Sequence, residues 1–200
     1  MSITIGSHRT PQPQTTWQSA SPTPLSDPRH VVYSPFAPIN GVRKLGTSWE
    51  SHSKYIVVRH GDSPKPLSIV KPDTVLYIVC HCSPSATTVA DNAHNRMTAD
   101  VLAQQMESDG LIHFIKKLKF YGCSGAVGGS NSFASGLLRE LRDLGYDNVE
   151  MFGYVSTVTS LDASGHKWGY KTIITDDDNG NTLIYEEKVR ASQVRIPIEI

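Results

Sequence analysis

Cysteine, net charge and long apolar stretches are all scarce in this 200-residue chain. Three cysteines are too few, and odd in number, for a disulfide framework, so we expect free thiols and a reducing place of action. A net charge of zero is atypical of a dedicated nucleic-acid-binding protein, and we expect no nucleic-acid partner. No run reaches the ~18 consecutive apolar residues of a membrane helix, which predicts no membrane span.

Acidic residues are also scarce near the N-terminus, where Asp27 is the only one before Glu50. Seven of the twelve prolines lie within the first 38 residues, among Ser, Thr and Gln. Such a segment buries too little apolar surface to offset the entropy lost on ordering. We predict a disordered Pro/Ser/Thr-rich segment over residues 1–45, most clearly over 1–28, followed by one folded domain over 46–200.

The same N-terminal segment lacks the basic and then apolar layout of a conventional signal peptide. Its acid-poor composition resembles that of effectors delivered by bacterial secretion machines. The resemblance implies a secretion signal in this segment, and a location in the host-cell cytosol or the bacterial cytoplasm.

Two apolar runs in the middle of the chain end in residues with reactive side chains. Val75–Cys80 reads as a strand covered on both faces, and His81 follows it. Leu118–Tyr121 reads as another strand, and Cys123 follows it. Because ligands gather at the carboxyl ends of parallel strands, we expect His81 and Cys123 to meet at one edge of a sheet.

The other elements follow from apolar periodicity, caps and turn residues. Helices are predicted after Thr98 and after Asn131 or Ser132, and the non-periodic segment Ser83–Asn95 is predicted to be loop. Further strands are predicted over Tyr55–Arg59, Leu67–Val70 and Asn148–Val155, and a hairpin over Lys171–Thr175 and Thr182–Glu187 around Asn179-Gly180. This order predicts an α/β fold with a mostly parallel central sheet and a C-terminal β-hairpin.

A histidine beside a cysteine is a recognisable activated nucleophile. His81 would take the proton of the Cys123 thiol or hold the thiolate as an ion pair. Gly122 and the glycines after Cys123 would let a substrate approach and let backbone amides face a developing oxyanion. The alternative for each residue alone is structural, because a cysteine at the end of a buried strand is most often a small packed side chain.

The motifs around this pair resemble those of clan CD cysteine peptidases, which include the caspases and the autoprocessing protease domains of large bacterial toxins. "LYIVCHCS" and "KFYGCSGA" are similar to the strand ends that carry the family's catalytic histidine and cysteine, "MTADVLAQQM" to the helix between them, and "SFASGLLRELRDLGYDNVEMFGYVSTV" to the helix and strand that follow. The resemblance covers residues 72–158 and is closest to the toxin domains.

The resemblance implies a three-layer caspase-like sandwich and a cysteine peptidase, in a bacterial secreted effector or toxin component. It implies that Cys123 is the nucleophile, that His81 is the acid/base, and that a protein or peptide is the substrate. The family usually has glycine directly after the histidine, where this chain has Cys82. Oxyanion stabilisation is therefore expected from the backbone near Cys82 and Gly122, and a catalytically inactive scaffold domain is the alternative.

The toxin domains are activated by inositol hexakisphosphate at a basic surface reached by a C-terminal hairpin. By resemblance, the basic clusters here would form such an anion-binding surface, although no cofactor is required for the chemistry. The lysines concerned are Lys116, Lys117, Lys119, Lys167 and Lys171. Asp62 or His60, after an earlier strand, could orient His81.

The sequence also bears on three other kinds of site. Gly122–Ala126 can be interpreted as a degenerate nucleophile elbow, which would make Ser124 the nucleophile of an α/β-hydrolase with Asp162 and His166. A cysteine phosphatase needs an arginine six residues after its cysteine, where this chain has Thr88 or Gly129. The cysteine spacing does not suit zinc, and no metal site is expected.

Overall fold

The computed structural model describes residues 30–42, 44–177 and 181–200. The strands are β1 (His30–Ser34), β2 (Ile56–Arg59), β3 (Val75–Val79), β4 (Thr88–Ala90), β5 (Arg96–Thr98), β6 (Lys117–Tyr121), β7 (Glu150–Tyr154), β8 (Trp168–Asp176), β9 (Thr182–Arg190) and β10 (Arg195–Pro197). The α-helices are α1 (Thr47–Glu50), α2 (Ala99–Ser108) and α3 (Phe133–Asp143).

Six strands form the central sheet in the order β10-β7-β6-β3-β1-β2. The first five of its strands along the chain pair in parallel, and β10 runs antiparallel to β7 at one edge. The predicted alternation of strand and helix through β3, α2, β6, α3 and β7 is confirmed, and so is the mostly parallel α/β sheet.

Both long helices cover the same face of the sheet, which we call the helix face. Strand residues such as Leu76, Ile78 and Phe120 on this face are fully buried against apolar residues of α2 and α3. The predicted cap of α3 is confirmed, because the Ser132 hydroxyl accepts a hydrogen bond from the Ser135 N–H. Thr98 occupies the N-cap position of α2, but its side chain makes no capping hydrogen bond.

The opposite face is rich in aromatic rings, and we call it the aromatic face. It is covered by α1, the segment 155–167 and the base of the β8–β9 hairpin. Trp49 of α1 lies at its centre, with ring centroids 4.7 Å from Tyr55, 5.1 Å from Tyr77 and 5.1 Å from Tyr121. Successive strand residues alternate between the two faces, so both faces bury side chains of the same strands.

The sheet begins earlier in the chain than the composition predicts. β1 lies inside the segment 1–45 that was predicted to be disordered, yet Val31, Val32 and Tyr33 are fully buried between β2 and β3. Burial of these apolar side chains stabilises β1 despite the polar composition of the surrounding segment. The predicted domain boundary at residue 46 is therefore wrong. The expectation for residues 1–28 lies outside the described residues.

Two local predictions are also wrong. Leu67–Val70 was predicted to be a strand, but Pro66–Ile69 forms a 3-10 helix that begins with proline and buries Leu67 on the helix face. The predicted loop Ser83–Asn95 contains β4, which pairs antiparallel with β5 in a small hairpin. Three-residue strands leave almost no periodicity to detect.

The C-terminal hairpin is confirmed, with β8 and β9 paired antiparallel from Trp168↔Arg190 to Asp176↔Thr182. Its predicted turn residues Asn179 and Gly180 lie outside the described residues. Val189 at its base is buried, whereas Ile174 and Ile184 farther out are directly paired and exposed. Within the described ranges, no helix is long and apolar enough to cross a bilayer.

Candidate active site

The sheet register brings His81 and Cys123 to equivalent positions on neighbouring strands. The last register pair between β3 and β6 is Val79↔Tyr121. His81 and Cys123 each lie two residues beyond it, and adjacent strands are ~4.8 Å apart. Because side chains alternate along a strand, both residues lie on the side of Val79 and Tyr121, which is the aromatic face.

His81 and Cys123 line one cavity of about 190 Å³, which we call the cleft. Its floor contains the buried side chains of Trp49, Val79 and Tyr121, and its rim contains polar groups. The described residues that line it are Lys44, Leu45, Gly46, Thr47, Ser48, Trp49, Val79, Cys80, His81, Asn92, Tyr121, Cys123, Val158, Thr159 and Ser160. The predicted meeting of His81 and Cys123 at one sheet edge is thus observed in the structure.

Asn92, which the sequence did not single out, makes the hydrogen bond that orients His81. The His81 Nε2–H donates to Asn92 Oδ1 at 2.6 Å, which leaves Nδ1 as the ring nitrogen available to a reactant. The backbone of His81 is fixed as well, by hydrogen bonds with Ala90 of β4 in both directions (2.8 and 2.9 Å).

The predicted orienting role of Asp62 is therefore wrong. Its carboxylate accepts a hydrogen bond from the Arg59 N–H at 2.8 Å and closes the turn after β2. His60, the other candidate, has its Nδ1 3.0 Å from both carboxylate oxygens of the buried Asp109. Both residues follow β2, which is two strands away from β3 in the sheet.

Cys123 is half-buried and its thiol faces the cleft. The Sγ–H donates to the Val158 carbonyl at 3.5 Å, and Val158 belongs to the segment that covers the aromatic face. The thiol thus bonds to the covering segment, and no hydrogen bond joins it to the His81 ring among the described residues. Catalytic hydrogen bonds are often loose before substrate binds.

Two backbone amides at the ends of β3 and β6 bear on the stabilisation of an oxyanion, although Cys123 lines the cleft and Cys82 does not. Among the described residues, neither the Cys82 N–H nor the Cys123 N–H has a hydrogen-bond acceptor. Glycine is required at position 122 for steric reasons, because a Cβ there would lie 2.8 Å from the Phe120 ring and 3.0 Å from the Cys82 Cβ. Cys82 does not have a positive φ, so cysteine in place of glycine brings no backbone strain.

The side chains of the other two cysteines belong to the opposite face of the sheet, although Cys80 is among the residues that line the cleft. Cys80 and Cys82 pack on the helix face, whereas Cys123 packs on the aromatic face. Burial raises the pKa of the Cys82 thiol to about 11, and it raises the pKa of the buried Cys80 thiol well above its ordinary value. Both thiols are therefore poor nucleophiles.

The alternative nucleophile Ser124 is not joined to its proposed partners. Its φ of 54° gives it the strained backbone of an elbow, but its side chain is buried and does not line the cleft. Asp162 and His166 do lie together, with 3.8 Å between His166 Nδ1 and Asp162 Oδ2, but His166 lines a different cavity. No described hydrogen bond connects Ser124 to His166.

The cavity that His166 lines has a volume of about 340 Å³, and we call it the basic pocket of the aromatic face. Lys167 Nζ donates to the Tyr77 hydroxyl at 2.7 Å, and Lys119 Nζ donates to the same hydroxyl at 3.2 Å. Burial, reinforced by the neighbouring cations, lowers the pKa of Lys167 to about 7 and that of Lys119 to about 8. The cations here repel one another, which is favourable for binding an anion.

Three more cations of the basic pocket were missed by the sequence analysis, namely Lys54, Arg190 and Arg195. They come from elements far apart in the chain, so no local charge cluster marks them. Of the other predicted lysines, Lys117 lies 3.5 Å from Glu150, Lys116 lines a shallow cavity with the exposed Phe114, and Lys171 is exposed on β8.

Among the described residues, no group of three or more His, Cys, Asp or Glu side chains could hold a metal ion. In comparisons with known proteins, no family model and no curated protein matches this chain. Functional assignment therefore rests on the geometry above.

Proposed function

We propose that this protein is a cysteine endopeptidase of caspase-like type, with Cys123 as nucleophile and His81 as acid/base. The observation that carries the proposal is the placement of both residues two positions beyond a register pair, on one cleft. The unpartnered amides of Cys82 and Cys123 add oxyanion donors, and Asn92 fixes the imidazole. Export as a bacterial effector is part of the same proposal.

The reaction begins when His81 Nδ1 takes the proton of the Cys123 thiol. The sulfur then attacks the peptide carbonyl carbon, and the amides of Cys82 and Cys123 donate to the developing oxyanion. His81 gives its proton to the leaving nitrogen as the C–N bond breaks and a thioester remains. His81 next takes a proton from water, whose oxygen attacks the thioester carbon. The C–S bond then breaks to release a carboxylic acid, and His81 returns its proton to the Cys123 sulfur.

Alkylation by iodoacetamide tests this pair directly. At pH 6.5 we expect Cys123 to be labelled at least about tenfold faster than Cys80 or Cys82, because Cys123 shares the cleft with His81 whereas burial raises the pKa of the other two thiols. His81→Ala should remove that difference, and the matched control His60→Ala should keep it. Peptide mapping by mass spectrometry gives the rate for each cysteine. Equal, slow labelling of all three thiols would contradict the proposal.

A second candidate function is a caspase-like binding module that cleaves nothing. It is favoured by the Cys123 hydrogen bond to the Val158 carbonyl, which directs the thiol to the covering loop. A module of this kind predicts slow alkylation of Cys123 in the wild-type protein and no effect of His81→Ala.

We further propose that an inositol polyphosphate activates the enzyme by binding in the basic pocket. The lining cations Lys54, Lys167, Arg190 and Arg195 would hold it, with Lys119 beside them on the Tyr77 hydroxyl. The fit is supported by the mutual repulsion of the pocket's cations, which a polyanion would relieve. The group would supply negative charge only, and no step of the peptidase chemistry passes through it.

A further inference from the structure

His81 also lines a second cavity. It measures about 430 Å³ and lies between residues 83–88 and the β4–β5 hairpin. His81 lines both this cavity and the cleft, whereas Cys123 lines the cleft and Cys82 lines the second cavity. We call the second cavity the Arg96 pocket, after the charged residue in its wall.

The wall of the Arg96 pocket is cationic and rich in hydroxyl groups. Its hydroxyl side chains come from Ser83, Ser85, Thr87 and Thr88. Ser85 has a φ of 55°, an uncommon conformation that turns the chain sharply between the two serines and the two threonines. Hydroxyl groups beside a guanidinium suit the recognition of a carboxylate.

Arg96 has no acidic partner within ion-pair distance in the part of the chain that the structure describes. The buried acid nearest in sequence, Asp91, is fully occupied, because its carboxylate accepts hydrogen bonds from the Ala93 N–H and from both the N–H and the side-chain amide of Asn95. The guanidinium is exposed on β5 and is therefore free for a ligand.

The position of the pocket identifies the part of a substrate that would reach it. A general acid must lie within hydrogen-bond reach of the leaving nitrogen, so the leaving-group side of the substrate passes over His81. The acyl side is bonded to Cys123 and stays at the cleft. A cavity lined by His81 but not by Cys123 therefore faces the residues that follow the scissile bond.

We propose that the Arg96 pocket selects substrates with Asp or Glu one or two residues after the scissile bond. The inference rests on the proposed peptidase function and adds a substrate class to it. Arginine is suited to this task because its planar fork binds a carboxylate through two parallel hydrogen bonds. Loss of this contact should cost about tenfold in kcat/KM for acidic substrates and nothing for substrates with neutral residues there.

Cleavage of a proteome-derived peptide library by the full chain, with inositol hexakisphosphate present, tests the proposal. Mass spectrometry of the new N-termini reports the residues after each cleaved bond. We expect Asp and Glu to be enriched at least about fivefold at the first two positions. Arg96→Gln should abolish the enrichment and Arg96→Glu should replace it with Lys and Arg. The matched control Arg142→Glu, at an exposed position of α3, should leave it unchanged.

The outcomes separate this inference from the peptidase proposal. Cleavage by the wild type without acidic enrichment, or the same enrichment in Arg96→Glu, contradicts the proposed role of the Arg96 pocket in substrate selection. Neither result contradicts the peptidase proposal. A library that the wild type cleaves no faster than Cys123→Ala overturns both. Rates of Cys123 alkylation in the Arg96 variants show that each variant retains an intact cleft.

Discussion

The helix face of the sheet buries Leu, Ile, Met and Phe side chains, whereas the aromatic face buries a tryptophan, several tyrosines and parts of two lysines. Apolar side chains gain free energy on burial, but hydroxyls and ammonium groups lose hydration and need partners. The aromatic face supplies those partners partially, as when two lysines share the Tyr77 hydroxyl. The helix face thus contributes mainly to the stability of the fold, whereas the aromatic face buries charged groups near the cleft at a cost in free energy.

That difference indicates where function lies. Strained or costly groups persist where a function requires them, and perturbed pKa values concentrate at functional sites. Both the cleft and the basic pocket are on the aromatic face, and Trp49 lies between them, lining the cleft while its ring centroid is 5.3 Å from Lys167 Nζ. The two sites are therefore neighbours that have one buried side chain between them.

The largest effect is expected at Leu138, a fully buried residue of α3 that tests whether the helix face provides the stability of the fold. Leu138→Ala should lower the free energy of unfolding by about 2–5 kcal/mol, because it removes buried methyl groups and leaves a cavity. Urea denaturation measures the change. The iodoacetamide rate of Cys123 in the folded fraction should not change.

Val101→Ala on α2 is the matched control, since Val101 is 46% exposed and alanine favours helix. Its effect should stay within about 0.5 kcal/mol. A similar loss in both variants would show that the helix face is not the stable half of the molecule.

Much of the helix face could be predicted from sequence because its signals are local. Ser132, the spacing of Leu137 and Leu141, and the apolar run of β3 each depend on neighbours in the chain. β1 was missed because its five residues lie in a Pro-rich segment and are stabilised by pairing with β2 and β3. Those partners are 20 or more residues away, which composition cannot register.

The candidate site divides in the same way. His81 and Cys123 could be predicted to meet because each directly follows an apolar run, and parallel pairing does the rest. The contact of Asn92 with His81 could not be predicted. Asn92 is brought beside the imidazole by the backbone pairing of His81 with Ala90, which the sequence does not reveal. The basic pocket was predicted only in part. Lys167 lines it and belongs to a cluster visible in the sequence, whereas Arg190 and Arg195 reach it only through the path of the hairpin.

The aromatic face can be tested through the protonation of Lys167. The pKa of Lys167 is about 7 in the folded protein and that of Lys119 is about 8, below their ordinary range near 10.5. A bound polyanion favours the charged forms, so above these values each lysine must take up a proton on binding. The affinity for inositol hexakisphosphate should therefore fall by at least about tenfold between pH 6.5 and pH 8.5.

Calorimetric titration in buffers of different ionisation enthalpy measures this proton uptake. Lys167→Met should weaken binding about tenfold at pH 6.5 and reduce the uptake at pH 8.5. Lys171→Met, which removes an exposed lysine of β8, should bind and titrate like the wild type. Equal proton uptake by Lys167→Met and the wild type would show that this lysine does not face the ligand.

The smallest expected effect distinguishes Asn92 from Asp62 as the partner of His81. Asn92→Ala should slow Cys123 alkylation about fivefold near neutral pH and change the shape of its pH profile, because the imidazole loses the acceptor that fixes its orientation. Asp62→Asn should leave the profile unchanged, since its carboxylate serves the turn after β2. Thermal unfolding of both variants separates orientation from folding: a purely structural Asn92 would lower the Tm without altering the pH profile. If Asp62→Asn alone changed the profile, the orientation of His81 would depend on the turn after β2 and not on Asn92. Because β1 lies between β2 and β3, that effect would have to be transmitted across β1.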